Sequence, residues 1–273
     1  MKYAICNELF EGWKFADVCK TIRELGYTGI EIAPFTLAPL VTDLSETQRS
    51  EIRRQAANEG VDIVGLHWLF AKTEGLLFTS PDWNVRRRTG EYLAELAKCC
   101  GDLGGGLLVL GSPGARKIPD GVTREQAEDH FIDAVRWAFG ALEANDVQLL
   151  LEPLGPAETD FMNTAGEGEA IRRRLGHPNV SLHLDVKAMS TEPTPIPEII
   201  RKHASQMKHF HANDPNKRGP GMGEVKFEPI FQALKDLNYR GWVSVEVFDF
   251  MPDPVTIARE SIDYMKRVEG LLR

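Results

Sequence analysis

The chain has 273 residues, of which 42% are hydrophobic and 26% are charged, an ordinary composition for a globular protein with a substantial core. Its net charge of −8 argues against nucleic acid as a partner, because phosphate backbones are bound by basic surfaces. We find neither a signal peptide nor an apolar run of about 18 residues, and therefore expect a cytoplasmic protein without membrane contact. The four cysteines lack metal-finger spacing, which agrees with reduced thiols in that compartment.

Eight short apolar runs rich in Val, Ile or Leu follow one another along the chain, and each is typical of a buried strand. In chain order they are YAICNEL, GIEIAP, DIVGLHWL, LLVLGSP, VQLLLEPL, VSLHLDV, MKHFHAND and WVSVEVF. The longer segments between them have helical spacing of apolar residues, and Gly or Asn often precedes the next run, as at the C-terminus of a helix. After the first run, for example, the helical face consists of Phe15, Val18, Ile22 and Leu25.

Strands that alternate with helices over about 250 residues are typical of a (β/α)₈ TIM barrel. An open doubly wound sheet is the competing architecture, but it usually has a glycine-rich phosphate turn directly after its first strand. The LGGG segment at 103–106 precedes a strand and so does not meet this criterion. We find no internal repeat and no linker, and therefore predict a single TIM-barrel domain over residues 1–273.

Polar side chains end several of these runs, and the active site of a TIM barrel lies at the C-terminal ends of its strands. The fifth to eighth runs end near Glu152, Asp185, His211 and Glu246. A lone buried carboxylate is costly unless it is paired or bound to a metal. Groups from four adjacent strands would converge on one point, where the three carboxylates repel one another. A divalent cation bound by these four residues would neutralise them.

The donor set is mostly oxygen with one nitrogen, which favours Mn²⁺, with Mg²⁺, Co²⁺ or Zn²⁺ as alternatives. A single residue at a strand end is more often a hydrogen-bonding group than a ligand. We therefore expect Glu31 and His183 only to orient their neighbours, whereas His209 either contributes to the site or packs below it. Asn213 and Asp214 are expected to shape the following loop.

Four segments of the second half, LLLEPL, LHLDV, MKHFHAND…GPGMGEVKF and VSVEVF, resemble the xylose isomerase-like TIM-barrel superfamily. The closest branch is that of the sugar isomerases and epimerases, which includes the D-tagatose 3-epimerases and hydroxypyruvate isomerases. The resemblance covers nearly the whole chain but is specific mainly from residue 148 onward. It implies that one divalent metal ion is held by Glu152, Asp185, His211 and Glu246. It also implies that Glu152 and Glu246 form the acid/base pair on opposite faces of a sugar.

The resemblance further implies substrate contacts. One is Glu158, in the segment EPLGPAETDF, and another is a basic residue in the loop NKRGPGMG. That residue falls on Lys217 or Arg218, and the planar guanidinium group favours Arg218. At the end of the third run, His67 could hydrogen-bond substrate or approach the metal. Trp68 could form an apolar wall for a sugar ring or cap the barrel core.

The chain departs from the epimerases at one position. They carry a histidine three residues after the metal-binding aspartate, and Ala188 stands there in this chain. Lys187 is its neighbour, and strand alternation would point it the same way as Asp185. Its side chain then either enters the site as a substrate ligand or extends into solvent. Arg116, in GSPGAR after the fourth run, is a further candidate contact at the rim.

The chemistry implied by these residues is proton removal from the carbon next to a carbonyl group, with an enediolate intermediate. Return of the proton to the opposite face gives epimerisation, whereas return to the adjacent carbon gives aldose–ketose isomerisation. One set of residues serves both reactions. We therefore predict a metal-dependent sugar isomerase or epimerase that acts on a ketose, an aldose or a related α-hydroxy carbonyl, with a homodimer or homotetramer among the expected assemblies.

Three alternatives stay open. A lyase, hydratase or decarboxylase acting on an oxidised (3-oxo) sugar or a sugar acid would use the same enediolate chemistry, with Lys187 recognising a carboxylate. An endonuclease IV-like DNA repair enzyme would need three zinc ions and additional histidines, which the seven histidines and the acidic composition disfavour. A non-catalytic sugar-binding barrel would not require the opposed pair Glu152 and Glu246.

Overall fold

The computed structural model describes residues 1–272, and its sheet is a closed barrel of eight strands in sequence order. Every neighbouring pair is parallel, and the first strand pairs with the eighth as well as the second. Each predicted apolar run forms one strand, so the predicted (β/α)₈ TIM barrel is confirmed. The strands are β1 (Lys2–Cys6), β2 (Gly29–Ile32), β3 (Asp62–Leu66), β4 (Leu107–Leu110), β5 (Gln148–Leu151), β6 (Val180–Asp185), β7 (Met207–Ala212) and β8 (Trp242–Val245).

The helices surround the barrel, and they form where the apolar spacing predicts them. In addition, a second short helix precedes β5, and one helical turn directly follows β6. The α-helices of the described residues are α1 (Phe15–Leu25), α2 (Glu46–Asn58), α3 (Trp83–Leu103), α4 (Arg124–Arg136), α5 (Phe139–Ala144), α6 (Ala165–Leu175), α7 (Val186–Met189), α8 (Ile196–His203), α9 (Phe227–Asp236) and α10 (Pro254–Leu271).

Local signals in the sequence set the ends of several helices. Ser45 and Thr123 each cap a helix N-terminus, and in both cases a glutamine three residues later completes a capping box. Gly26 and Gly104 follow α1 and α3 with φ angles of 101° and 86°. Such left-handed conformations favour glycine, so these two residues allow the chain to leave the helix and enter the next strand.

The strands are buried on both faces, as expected for a parallel sheet covered by helices. All six residues of β6 are buried, for example. The barrel interior is apolar except toward the C-terminal ends of the strands, where buried polar side chains accumulate. This polar region locates the candidate site, and its members are Glu8, Glu31, His67, Glu152, His183, Asp185, His209, His211, Asn213 and Glu246.

Two further properties concern the whole described chain. No helix within residues 1–272 combines the length and the apolar character needed to cross a membrane. All four cysteines are buried and free of disulfide bonds.

Candidate active site

The four predicted metal ligands lie together because four adjacent strands carry them to one end of the barrel. Glu152 directly follows β5, Asp185 ends β6, His211 lies in β7 and Glu246 directly follows β8. Donor atoms of Glu152, Asp185 and His211 lie within 4.8 Å of one another, together with a ring nitrogen of His183. Glu246 Oε2 lies 3.3 Å from His211 Nδ1. The structure therefore gathers three carboxylates and an imidazole into one buried cluster.

The ring of His211 is oriented by a carboxylate beneath it. Its Nε2 atom lies 3.0 Å from Glu31 Oε2, and His209 Nε2 lies 2.7 Å from the same oxygen. Although burial alone would raise the pKa of Glu31, His209 and His211 hold it well below its usual range. Glu31 is therefore an anion that accepts from Nε2, and it turns Nδ1 of His211 toward the other carboxylates. This agrees with the orienting role expected for Glu31.

Electrostatics in the cluster depend on the carboxylates' mutual repulsion. Burial, and then the charges of Glu246 and Asp185, raise the pKa of Glu152 well above its usual range. Burial, and then Glu246, raise the pKa of Asp185 to about 6. Glu246 differs, because His211 and His67 lower its pKa in spite of burial. A divalent cation would remove the repulsion, so these donors fit such an ion.

Nδ1 of His211 is the nitrogen available to a cation. It has no hydrogen-bond partner among the described residues. Although burial would lower the pKa of His211, Glu31 and Glu246 raise it well above its usual range, so a cation at Nδ1 would displace a proton. His183 contributes a neutral ring beside it, because burial and then the neighbouring imidazole of His211 lower the pKa of His183 well below its usual value. Nε2 of His183 lies 3.7 Å from Glu152 Oε1.

Donors around the cluster fix two of the carboxylates. The Trp68 indole N–H donates to Glu246 Oε1 at 2.8 Å. The Asn213 side-chain amide donates to Asp185 Oδ2 at 2.5 Å and to Glu246 Oε2 at 3.4 Å. The sequence suggested only a role in shaping the loop for Asn213, but its side chain also holds two carboxylates of the cluster. Asp214 does have that loop role, since its carboxylate accepts from the Val225 backbone N–H at 3.0 Å.

Glu152 occupies space that only a glycine leaves free. A Cβ atom added to Gly111, which directly follows β4, would lie 2.0 Å from Glu152 Oε2. Any larger residue at position 111 would displace the carboxylate. The segment GSPGAR therefore contributes to the site through the absence of a side chain as well as through Arg116.

A cavity of about 470 Å³ opens above the cluster and is lined by Glu152, Asp185 and Glu246 among others. Its size suits a small polar ligand. One wall is aromatic, because the rings of Trp68 and Phe248 stack with centroids 5.7 Å apart and planes 22° apart. The predicted apolar wall at Trp68 is therefore present, although its use by a sugar stays a prediction.

Lys187 and Glu158 line the same cavity and form an ion pair, with 2.6 Å between Nζ and Oε2. The Lys187 ammonium group also lies 4.8 Å from the centre of the Phe248 ring. Strand alternation does not explain its direction, since β6 ends at Asp185 and Lys187 belongs to α7. Although burial would lower the pKa of Lys187, Asp185 and Glu158 raise it. Both predicted substrate contacts thus face the cavity.

Two other predicted substrate contacts do not line the cavity. The Arg218 guanidinium group donates instead to the Met251 carbonyl at 3.1 Å. The backbone N–H of Asp214 donates to the Arg218 carbonyl at 3.0 Å and closes a turn between these two residues. His67 is fully buried, with Nε2 2.9 Å from Glu8 Oε2 and Nδ1 3.4 Å from Glu246 Oε1.

The sequence did not single out Glu8, and it did not indicate that Arg116, a candidate contact at the rim, is buried. Glu8 follows the first strand in ICNELF, where the polar pair at 7–8 interrupting the apolar run was the available signal. Arg116 is completely buried, and none of its guanidinium nitrogens has a hydrogen-bond partner among the described residues. Burial lowers the pKa of Arg116 to about 10, although the negative charges of Glu152 and Glu158 act to raise it. Arg116 therefore stays a cation at neutral pH.

A closed parallel barrel with carboxylate and imidazole donors at the C-terminal ends of its strands defines the class of TIM barrels with a candidate metal site. Residues 19–268 match the family model described as xylose isomerase-like TIM barrel. The chain belongs to this family, which confirms the predicted resemblance.

Two relatives that cover most of the chain are named as epimerases. The D-psicose 3-epimerase of Agrobacterium fabrum is 30% identical over 91% of this chain and 85% of the relative. That of Ruminiclostridium cellulolyticum is 28% identical over 91% and 84%. These names agree with the predicted isomerase class.

Solved structures show the same fold. A D-psicose 3-epimerase from Clostridium cellulolyticum H10, crystallised with D-tagatose, has a TM-score of 0.85 at 23% identity and covers 98% of this chain and 99% of its own. The 3-keto-D-glucoside 4-epimerase of E. coli has a TM-score of 0.85 at 18% identity with coverages of 98% and 99%.

Proposed function

We propose that this protein is a divalent-metal-dependent sugar isomerase or epimerase that acts on a ketose or a related α-hydroxy carbonyl. The observation that carries the proposal is the buried cluster of three carboxylates with His211 Nδ1 turned toward them, at the floor of a cavity of about 470 Å³. Kinship with D-psicose 3-epimerases supports a ketose as the substrate.

Glu152, Asp185, His211 and Glu246 would hold the metal ion. Three carboxylates and one imidazole suit Mn²⁺, with Mg²⁺, Co²⁺ or Zn²⁺ as alternatives. When bound, the ion supplies Lewis acidity toward the substrate's oxygens.

Glu152 and Glu246 carry out the proton transfers in this proposal. One removes the proton from the carbon beside the carbonyl group, and the other returns a proton. Their surroundings differ in a way that suits two roles. Glu246 is fixed by the Trp68 indole and lies beside His211, whereas Glu152 lies beside His183 in the space that Gly111 leaves free.

The cavity walls bind the substrate. The stacked rings of Trp68 and Phe248 offer an apolar surface to the C–H face of a sugar. On another wall, the paired charges of Lys187 and Glu158 offer both a donor and acceptors to hydroxyl groups. This pairing suits a neutral polyol chain, since the lysine already has a counter-charge.

The test is a screen of ketoses, aldoses and 3-oxo sugars in deuterated water. The purified protein is loaded with Mn²⁺, and the ion is chelated before NMR spectra are recorded. We expect deuterium at one carbon next to the carbonyl group, together with an epimer or an isomer of the substrate. Protein stripped of metal serves as the control and should show neither.

Other products would point elsewhere. Loss of water or carbon dioxide from an oxidised sugar would favour a lyase, hydratase or decarboxylase. Absence of deuterium exchange with every sugar tested, in protein with a full complement of metal, would contradict the proposal.

A further inference from the structure

A second group of metal-ligating side chains lies beside the cluster described above. Cys6 ends β1, Glu8 follows in the short 3₁₀ segment Asn7–Phe10, and His67 directly follows β3. The sulfur of Cys6, a carboxylate oxygen of Glu8 and a ring nitrogen of His67 all lie within 4.8 Å of one another. Each residue is at most 1% exposed. None of the three belongs to the proposed ligand set of the first site.

The carboxylate and imidazole atoms of this group lack hydrogen-bond partners, whereas the Cys6 thiol donates to Glu31 Oε2 at 3.7 Å. Neither carboxylate oxygen of Glu8 and neither ring nitrogen of His67 makes a hydrogen bond with a residue of the described chain. Glu8 Oε2 does lie 2.9 Å from His67 Nε2 as an ion pair, and this contact leaves Glu8 Oε1 without a partner among the described residues. Buried carboxylates and imidazoles without partners are costly. They are expected where a ligand completes their coordination.

We propose that Cys6, Glu8 and His67 bind a second divalent ion of the borderline class, Zn²⁺ or Co²⁺. A sulfur, a nitrogen and an oxygen donor make a set typical of such ions, and three protein ligands leave a fourth position open. The thiolate and the carboxylate together balance the charge of the ion. On binding, the Cys6 thiol releases its proton to solvent. This proposal is independent of the sugar chemistry proposed above.

The surroundings of His67 orient it for this task. Its Nδ1 atom lies 3.4 Å from Glu246 Oε1, while Nε2 faces Glu8. A cation bound at Nε2 would replace the proton there and leave the ring proton on Nδ1, which points at Glu246. His211 is oriented in the same manner at the first site, where Glu31 holds one ring nitrogen and leaves the other free. Glu246 touches both histidines and so connects the two sites.

The experiment is a titration of reduced, metal-free protein with Co²⁺. Thiolate coordination to Co²⁺ produces a charge-transfer band in the near ultraviolet, which oxygen and nitrogen ligands do not. We expect the band to appear in the wild type and two equivalents of Co²⁺ to stay bound after gel filtration, as measured by elemental analysis. Cys6→Ser should lose the band and one equivalent. Cys19→Ser, which changes a buried cysteine of α1, should keep both.

A variant with two substitutions at the first site separates this proposal from the proposed sugar chemistry. Glu152→Gln combined with Asp185→Asn should lose one equivalent of Co²⁺ yet keep the near-ultraviolet band. If the first site fails to bind metal, the band still tests the second site. Glu8→Gln should weaken the band-forming step by roughly tenfold or more, as expected for loss of a ligand. It provides the test should Cys6→Ser not fold.

Two results would overturn the proposal. One is a wild-type protein saturated with Co²⁺ that shows no near-ultraviolet band. The other is a band that survives unchanged in both Cys6→Ser and Glu8→Gln. Either result would make Glu8 and His67 a buried charged pair that only supports Glu246.

Discussion

Two buried arginines, one between the outer helices and one beside the candidate site, differ in how their charges are paired. Arg49, between the helices, is 5% exposed and donates to the carbonyl groups of Leu44 and Val41 and to the Asp102 carboxylate, at 3.1, 2.9 and 2.8 Å. Arg116, beside the candidate site, is 0% exposed and makes no hydrogen bond through any guanidinium nitrogen within residues 1–272.

The difference reflects what each charge is for. A buried arginine whose guanidinium group donates to several partners holds structural elements together, and these hydrogen bonds offset the free energy of burying its charge. A buried arginine without partners is costly for folding, so its retention points to a role in binding or chemistry. The same contrast holds for carboxylates, since Glu31 has two histidine partners while Glu152 lies among like charges.

The largest effect is expected from removal of the proposed proton-transfer groups. Glu152→Gln and Glu246→Gln should each lower solvent-deuterium exchange into substrate by roughly 10²- to 10⁴-fold, because proton transfer needs a base. Thermal melting of metal-free Glu152→Gln should show no loss of stability, since the change removes a carboxylate from a repulsive cluster. Metal content is measured in each variant, so that loss of the ion is distinguished from loss of the base. Near-normal exchange in both variants would exclude this pair.

Arg49→Met is expected to have the next largest effect, and it should act on stability alone. The change leaves two carbonyl groups and Asp102 without their donor, which should lower the free energy of unfolding by about 3 kcal/mol. Urea unfolding measures the loss. Once folded, the variant should have wild-type activity, because Arg49 lies between helices. A large loss of kcat in fully folded protein would contradict this separation of roles.

Arg116→Met should give the opposite result. Replacement of an unpartnered buried cation by an apolar side chain should leave the free energy of unfolding within about 1 kcal/mol of the wild type or raise it. Activity should fall about 10- to 100-fold, because the positive charge near Glu152 and Glu158 is lost. Arg116→Lys keeps that charge and serves as the matched control. If Arg116→Met unfolds readily and Arg116→Lys does not, the arginine is structural and the comparison with Arg49 fails.

The sequence made the barrel and its ligand cluster predictable for the same physical reason. Buried parallel strands are continuous apolar runs, so a charged residue at the end of such a run is conspicuous. Topology then carries the ends of β5, β6, β7 and β8 to one place, as happened for Glu152 and Glu246. Parts of the site on loops were not predictable in this way. The direction of Arg218 depends on a turn whose geometry the spacing does not specify.

Residues of the interior were equally hard to assign. Glu8 lies on the end of the first apolar run, yet nothing local indicates that it meets His67, which is distant in sequence. Arg116 was expected as a contact at the rim, but its complete burial depends on tertiary packing that the local sequence does not specify. For Lys187 the sequence left open a direction into the site or into solvent; the side chain lines the cavity, and a helical turn and not strand alternation directs it there.

Lys187→Met should have a moderate effect on catalysis. Lys187 lines the cavity without belonging to the proposed ligand set, so its loss should lower kcat/KM by about tenfold while metal affinity stays unchanged. The matched control is Lys72→Met. Lys72 also lines the cavity, but its ion pair with Glu11 is exposed, with 60% and 55% of the two side chains accessible. Equal, negligible changes in both variants would make Lys187 part of the scaffold only.

The smallest effect is expected at a paired charge in α6, outside the barrel and away from the candidate site. Glu169 in α6 accepts from Arg172 and Arg173, each with a closest contact of 2.7 Å, and these hydrogen bonds hold the pKa of Glu169 below its usual range. A carboxylate whose pKa is lowered in the folded state stabilises the fold above its unfolded pKa and loses that contribution as pH falls through the folded value. The Glu169 side chain is 8% exposed but that of Arg173 is 73% exposed, so solvent screens part of the attraction, and Glu169→Gln should lower the free energy of unfolding at pH 7 by about 1 kcal/mol. Because the usual pKa is near 4.5, the difference from wild type should shrink as the pH falls below that value. Urea unfolding of both proteins at pH 7 and at progressively lower pH measures this, and a difference independent of pH would show that the carboxylate's charge contributes nothing to stability.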